Sequence, residues 1–249
     1  MREKPILFNT EMVRAILDGR KSCTRRVVKK AIPFNESANC WNILKKGEWS
    51  GPVPKCKLIE QCAPYQIGDI LYVRETWSER YEDGTYIYRA DDKLAELPTF
   101  KESTRLIYHP SIHMPKAAAR IWLKVTDVRV ERLQDITEDE AKAEGIGRLY
   151  DHMSKEEYEK WSKQAGLLQS QEECSFINYL WHGNFGENRQ GNKMSDSWIY
   201  QYSGYKSAIG SFSSLWNKTI DFKNWNKYGW GANPWVWVIE FERCEKPGK

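Results

Sequence analysis

The sequence predicts a mixed α+β fold, a small β-barrel with short helices at its mouth and a polar insertion. Three observations carry this expectation. Many strand-like segments alternate with only a few short helical ones, no internal repeat is apparent, and two well-patterned strands, Arg120 to Leu133 and Trp235 to Phe241, lie in the second half of the chain. At 249 residues, 41% of them hydrophobic and with 12 tryptophans, the chain has ample material for one core. We therefore expect a single domain over 1–249, with insertions at about 35–62 and 148–205.

Taken in order, the first helix is expected over residues 11–18. Thr10 can cap it, Met12, Val13, Ile16 and Leu17 fall on one face, and Gly19 stops it. The helix exit is the densest chemical stretch in the chain: Gly19-Arg20-Lys21-Ser22-Cys23-Thr24-Arg25-Arg26. Residues 33–66 carry four prolines and no sustained periodicity, which suggests an irregular excursion with one short hairpin. A turn at Gly68-Asp69 then feeds a strand from Ile70 to Trp77, closed by the adjacent charges Arg74 and Glu75. After the Asp83-Gly84 turn signal, Thr85 to Ala90 reads as a further strand.

Tyr108 to Lys116 is a proline-bracketed loop that carries His109 and His113, and it is expected to cross the barrel mouth. Arg120 to Leu133 alternates β-branched and aromatic residues against charges and should be a central, curved strand. Thr137-Glu138-Asp139-Glu140 is a capping box opening a helix that Gly145 ends. Residues 147–205 are polar and poor in aliphatics, with a helix expected over 154–164, and they read as an insertion or lid rather than a second domain. Ser211 to Ile220 is another helix, and Trp235 to Phe241 the closing strand.

Charge is focused rather than spread. The net formal charge is only +4, from 38 basic and 34 acidic residues, yet residues 1–30 hold nine basic side chains against three acidic ones. A positive field of that kind fits a small anionic ligand or one stretch of nucleic-acid backbone better than a long duplex. No apolar run approaches the roughly 20 residues that span a bilayer, and no signal-peptide pattern opens the chain, so the expected location is cytoplasmic and no membrane partner is expected. The six cysteines include no CxxC pair and read as reduced thiols. Cys40, Cys56 and Cys62 match no zinc template, and neither a metal nor a cofactor is expected.

The pattern Gly19-x-Lys21-x-x-Thr24-x-Arg26 after an N-terminal helix, followed by Gly68-Asp69 and Val73-Arg74-Glu75-Thr76-Trp77, resembles the ASCH domain, a relative of the PUA fold. His113-Met114-Pro115-Lys116, the Val128 to Gly145 segment and Asn233 to Val238 resemble more narrowly the ASCH-domain proteins common in phages and prophages. The resemblance implies a PUA-like pseudo-barrel whose cleft gathers the motif lysine and threonine beside the strand glutamate. Related proteins include RNA-binding modules, a ribonuclease activity and an amidohydrolase that removes acyl groups from N4 of cytidine. In the amidohydrolase the motif lysine is the base, the threonine the nucleophile and the strand glutamate the proton donor, roles that fall by motif position on Lys21, Thr24 and Glu75.

The residues admit three functional readings. In the first, Lys21, Thr24 and Glu75 hydrolyse an amide on a modified nucleoside, with neighbouring Arg20, Arg25, Arg26 and Arg74 lowering the lysine pKa. In the second, Lys21, Arg25, Arg26 and Lys116 touch phosphates of RNA or another single strand, with or without nuclease activity. The third is a reader that docks one modified base without chemistry, for which Trp77, Tyr108 or Trp122 supplies a stacking face and His113 a contact. An ordinary structural reading stands beside them. In it Thr24 caps a turn, Lys21 is solvated, Glu75 pairs with Arg26 or Arg74, and the strand tryptophans belong to the core.

Overall fold

The structure, a computed structural model, describes residues 2–28, 34–35, 37, 40–42, 44–45, 48–49, 52–79, 84–91, 107–147, 176–177, 204–205 and 207–248. The helix expected over 154–164 lies outside the described residues, as does most of the insertion expected at about 148–205. What is described is mixed α+β. Five strands form the main sheet: β1 (Glu3–Leu7), β2 (Cys23–Val27), β7 (Ile70–Arg74), β10 (Trp122–Arg132) and β13 (Trp235–Cys244), in the order β1-β7-β10-β13-β2. Short two-stranded pairs accompany it: β3 (Phe34–Asn35) with β4 (Cys40–Trp41), β5 (Leu44–Lys45) with β6 (Glu48–Trp49), β8 (Trp77–Glu79) with β9 (Tyr86–Tyr88), and β11 (Phe176–Ile177) with β12 (Gly204–Tyr205).

Within the main sheet β1 and β7 run parallel, and the other neighbours are antiparallel. β10 is the central strand that the alternation predicts, and it carries a bulge between Val125 and Asp127. The extra residue, Thr126, resets the two-residue period. Leu123 and Val125 before the bulge and Val128 and Val130 after it therefore all enter one buried cluster, although their numbering changes parity. β13 is buried on both faces, which explains its nearly continuous apolar run. Trp237, Ile239 and Phe241 face that cluster, while Val236 and Val238 face a second one.

The second cluster is completed by helices. α1 spans Thr10–Leu17, α2 Lys55–Cys62, α3 Glu138–Ala143, α4 Ala208–Thr219 and α5 Trp225–Tyr228. Asn9, rather than Thr10, caps α1, its side chain accepting from the Met12 N–H. The capping box on α3 forms as the spacing predicts. Glu138 of α3 also accepts from the Ala208 N–H, so an acid of one helix caps the orphan donors of the next. α4 starts three residues earlier than its apolar pattern suggests, because Ser207 supplies the cap.

Three expectations are corrected here. The excursion at 33–66 contains α2, whose short amphipathic pattern Pro64 and the cysteines obscure. The stretch after Gly19, read only as a helix exit, becomes from Cys23 an edge strand, because β13 supplies a hydrogen-bonding partner that no local pattern announces. The strand at Ile70 ends at Arg74, and Trp77 begins a separate pair with β9. The five-stranded sheet is open in its hydrogen bonding. Its two edge strands nevertheless come within a side chain of each other, since Arg26 Nη2 on β2 donates to the Leu7 carbonyl of β1 at 2.8 Å.

Candidate functional site

α1 delivers the motif residues to their places. Gly19 adopts φ +75°, and the N–H groups of Arg20 and Lys21 both bond the Ala15 carbonyl, which turns the chain sharply from the helix into β2. The pairing of β2 with β13 engages Ser22 and Val28 through Phe241 and Trp235. By antiparallel alternation the backbone groups of Ser22, Thr24, Arg26 and Val28 face β13, whereas those of Cys23, Arg25 and Val27 point to the free edge. Lys21 exploits that edge, and its Nζ donates to the Cys23 carbonyl at 2.7 Å.

Lys21 is not solvated. It is 3% exposed, and Nζ also donates to the Glu144 carbonyl at 2.9 Å and to Glu144 Oε2 at 2.7 Å. Three acceptors match the three protons of an ammonium. Glu144 is itself buried, and Arg25 Nη1 reaches its other oxygen at 3.4 Å. Arg25 is buried as well and faces Glu140 at 3.1 Å. Although burial opposes it, the Thr137 N–H together with Arg25 and Arg129 holds the Glu140 carboxyl below its ordinary range. Arg129 bonds Asp127, Glu131, Glu140 and Glu240, so the buried basic residues continue into a charge network across β10 and β13.

Cys23 lies inside this group. Burial pushes its thiol up to about 12, helped by the Glu144 charge and only partly offset by Lys21 and Arg25. A thiol held neutral is an inert core group, so the geometry gives it no nucleophilic role.

Glu75 occupies a different ion-pair cluster. Arg120, not Arg26 or Arg74, is its partner, through a bidentate pair at 2.9 and 3.0 Å. Arg120 also bonds Asp91 and lies 3.9 Å from the centre of the Tyr88 ring. Glu75 is 1% exposed, and burial raises its carboxyl above the ordinary value despite Arg120. Phe8 links the two clusters. Its ring lies beneath both Lys21, at 5.7 Å, and Arg26, at 5.5 Å, and its N–H bonds the Arg74 carbonyl next to Glu75.

The other expected contacts disperse. Arg20 bonds the Gly145 carbonyl and Asp18. Arg74 Nε bonds the Met114 carbonyl, and Lys116 is paired with Glu3. Trp77 and Trp122 are core residues of a third cluster around Met114, as the ordinary reading of strand tryptophans has it. Tyr108 takes Arg89 over its ring, and His113 sits exposed in a 3-10 turn. Among the described residues no group of His, Cys, Asp and Glu could hold a metal ion.

Thr24, Arg25 and Arg26 are the motif residues that meet in a cavity. It measures about 290 Å³ and lies along the free edge of β2, with Glu144 on the polar wall and Phe212, Trp216 and Ile220 of the α4 region on the apolar one. Arg25, which lines it, has its Nε buried without a hydrogen-bond partner. The guanidinium centre also lies 5.9 Å from the Phe212 ring. Sequence reasoning missed Glu144 and Arg120, the partners of its two central residues. The capping-box helix that places Glu144 is visible in the sequence, but the pairing is a tertiary fact. Comparison of the chain with family models, with curated proteins and with solved structures finds no match in any of the three.

Proposed function

We propose that the protein is a PUA-like module of the ASCH type that takes one modified nucleobase or nucleoside into the cavity beside β2. The observation that carries the reading is the cavity itself. It sets an aromatic wall against a buried, incompletely bonded arginine and a strand edge whose backbone groups point away from the sheet. A flat heterocycle with carbonyl and amino edges uses both walls, stacking on one and bonding to the other. The volume, about 290 Å³, accommodates a single base or nucleoside and nothing much longer. The Arg26 to Leu7 bond supports a sheet that curls toward a pseudo-barrel.

Amide hydrolysis is the second reading, favoured by Thr24 on the cavity wall and by the raised carboxyl of Glu75. In it the Thr24 hydroxyl adds to the acyl carbon, Lys21 takes the hydroxyl proton, and Glu75 protonates the departing amine. Water then releases the acyl group from Thr24. That route requires Lys21 to give up a proton and its bond to Glu144, and Glu75 to leave Arg120. Binding alone requires neither, so it is the better supported of the two.

The test is titration calorimetry with a panel of nucleosides and N4-acylated cytidines, with product analysis by mass spectrometry in parallel. Saturable binding of at least one panel member, weakened about tenfold or more in Arg25→Gln by loss of a charged hydrogen bond, is the expected result. Absence of saturable binding across the panel overturns the reading. Turnover by the native chain that Thr24→Val abolishes promotes hydrolysis over binding alone.

A further inference from the structure

The chain just beyond the cavity-lining Ile220 carries a surface feature that a free nucleoside does not use. Just beyond α4, Phe222 is 80% exposed and Trp225 41% exposed, their rings 5.2 Å apart and tilted by 57°. Isolated apolar side chains on a surface are ordinary, but two exposed aromatic rings side by side are not. Trp225 Nε1 donates to the carbonyls of Ile220 and Asn217 at 3.0 and 3.2 Å, which sets the plane of the indole. The segment is pinned from behind, where Trp216 Nε1 bonds the Tyr228 carbonyl and the Trp230 N–H bonds Asn217 Oδ1. Gly229 closes it, since a Cβ at that position would lie 2.7 Å from the Trp225 carbonyl oxygen.

Charge surrounds the rings. Lys218, Lys223 and Lys227 are exposed on the same short stretch, against one acid, Asp221, which is already paired with Lys223. Ile220 lines the cavity, and Phe222 follows it by two residues, so the chain runs directly from the cavity wall into this surface.

We propose that Phe222 and Trp225, with Lys218, Lys223 and Lys227, bind single-stranded nucleic acid, the rings stacking a base while the lysines meet phosphates on either side. Resting on the reading above for the cavity, this makes the ligand one nucleotide within a strand, with its neighbour on the platform. The observations favour a nucleic acid over a protein or a membrane. The patch pairs two aromatic faces with net positive charge, and among the described residues from 218 to 228 no large aliphatic side chain is exposed beside them. Every base offers a face for stacking, and every linkage carries one negative charge.

The experiment is fluorescence anisotropy with the full chain and a labelled eight-nucleotide RNA, its DNA equivalent, and a duplex of the same sequence, across a salt series. The single strands should bind more tightly than the duplex. Phe222→Ala, at a position too exposed to hold the fold, should weaken single-strand binding by about 5- to 150-fold, the range expected for the loss of one stacked base. Replacing Lys223 and Lys227 together by alanine should lower the slope of log affinity against log salt by about 0.7 for each phosphate that is no longer neutralised. Nucleoside binding in the cavity should be unchanged in Phe222→Ala. Strand affinity indifferent to Phe222→Ala, a duplex bound as well as the single strand, or no strand binding at all overturns the proposal even when nucleosides still bind. Strand binding that depends on Phe222 without any nucleoside binding sustains it and overturns the cavity reading instead.

Discussion

Lys21 is the residue on which the proposed hydrolysis would turn, and its environment is that of a buried ion pair. Taking an ammonium and a carboxylate out of water costs several kcal/mol for each ion, repaid here by the 2.7 Å contact with Glu144 and by two carbonyl acceptors. Removing one partner leaves the other charge stranded. We therefore expect Lys21→Met to lower stability by about 3–5 kcal/mol, and the double variant Lys21→Met with Glu144→Gln to recover a substantial part of that loss. Chemical denaturation of the two single variants and the double variant measures the coupling. Additive losses would show that the pair contributes no coupling to the fold. The consequence for function is direct: loss of turnover in Lys21→Ala alone reports unfolding as readily as it reports a missing base, so the double variant is the proper control.

At the scale of elements, the join between α1, β2 and the end of α3 holds the site, and Gly145 is its tightest point. It adopts φ +101°, and a Cβ there would lie 2.9 Å from the Ala15 Cβ and 3.3 Å from the Lys21 Cβ. The glycine thus does more than end α3. It lets the helix terminus approach α1 closely enough for Glu144 to reach Lys21. Gly145→Ala combines a left-handed backbone with a steric overlap and should cost about 1–3 kcal/mol or more, read as a lower denaturation midpoint with an unchanged slope. A neutral substitution would mean that α3 can shift without loss. The local signals here were legible in the sequence: the capping box at Thr137, the stop at Gly145 and the exit at Gly19 all follow from residue chemistry within one turn. The strand character of Cys23–Val27 was not, because an edge strand is defined by its partner, and β13 lies at the far end of the chain. The same limit hid the partners of both central residues, Glu144 for Lys21 and Arg120 for Glu75, which depend on chain crossings that no window of neighbouring residues contains.

For the whole molecule, the pH dependence of stability tests whether the two ion-pair clusters differ as their surroundings imply. Glu140 is held below its ordinary value of 4.5, so its contribution is present above that value and is lost as pH falls through the lower folded value. Glu75 has the opposite sign, with burial the larger influence and Arg120 opposing it. Its folded pKa is raised above 4.5, so over the interval between 4.5 and the folded value the native state binds more protons than the unfolded chain. Stability must then fall as pH rises through that interval and level off beyond it. The glutamine of Glu75→Gln does not titrate, and a variant carrying it lacks this slope. The stability of the native chain minus that of the variant should therefore decline with rising pH from 4.5 upward and flatten once Glu75 is ionised. Equilibrium denaturation of both proteins from pH 4 to pH 8 supplies the difference curve, in which titrations common to the two proteins cancel. A difference that instead rises with pH would mean that the bidentate Arg120 pair outweighs burial. Glu75 would then be ionised throughout the neutral range and unfit to protonate a leaving group, which removes amide hydrolysis by this set of residues while leaving the proposed binding in the cavity beside β2 untouched.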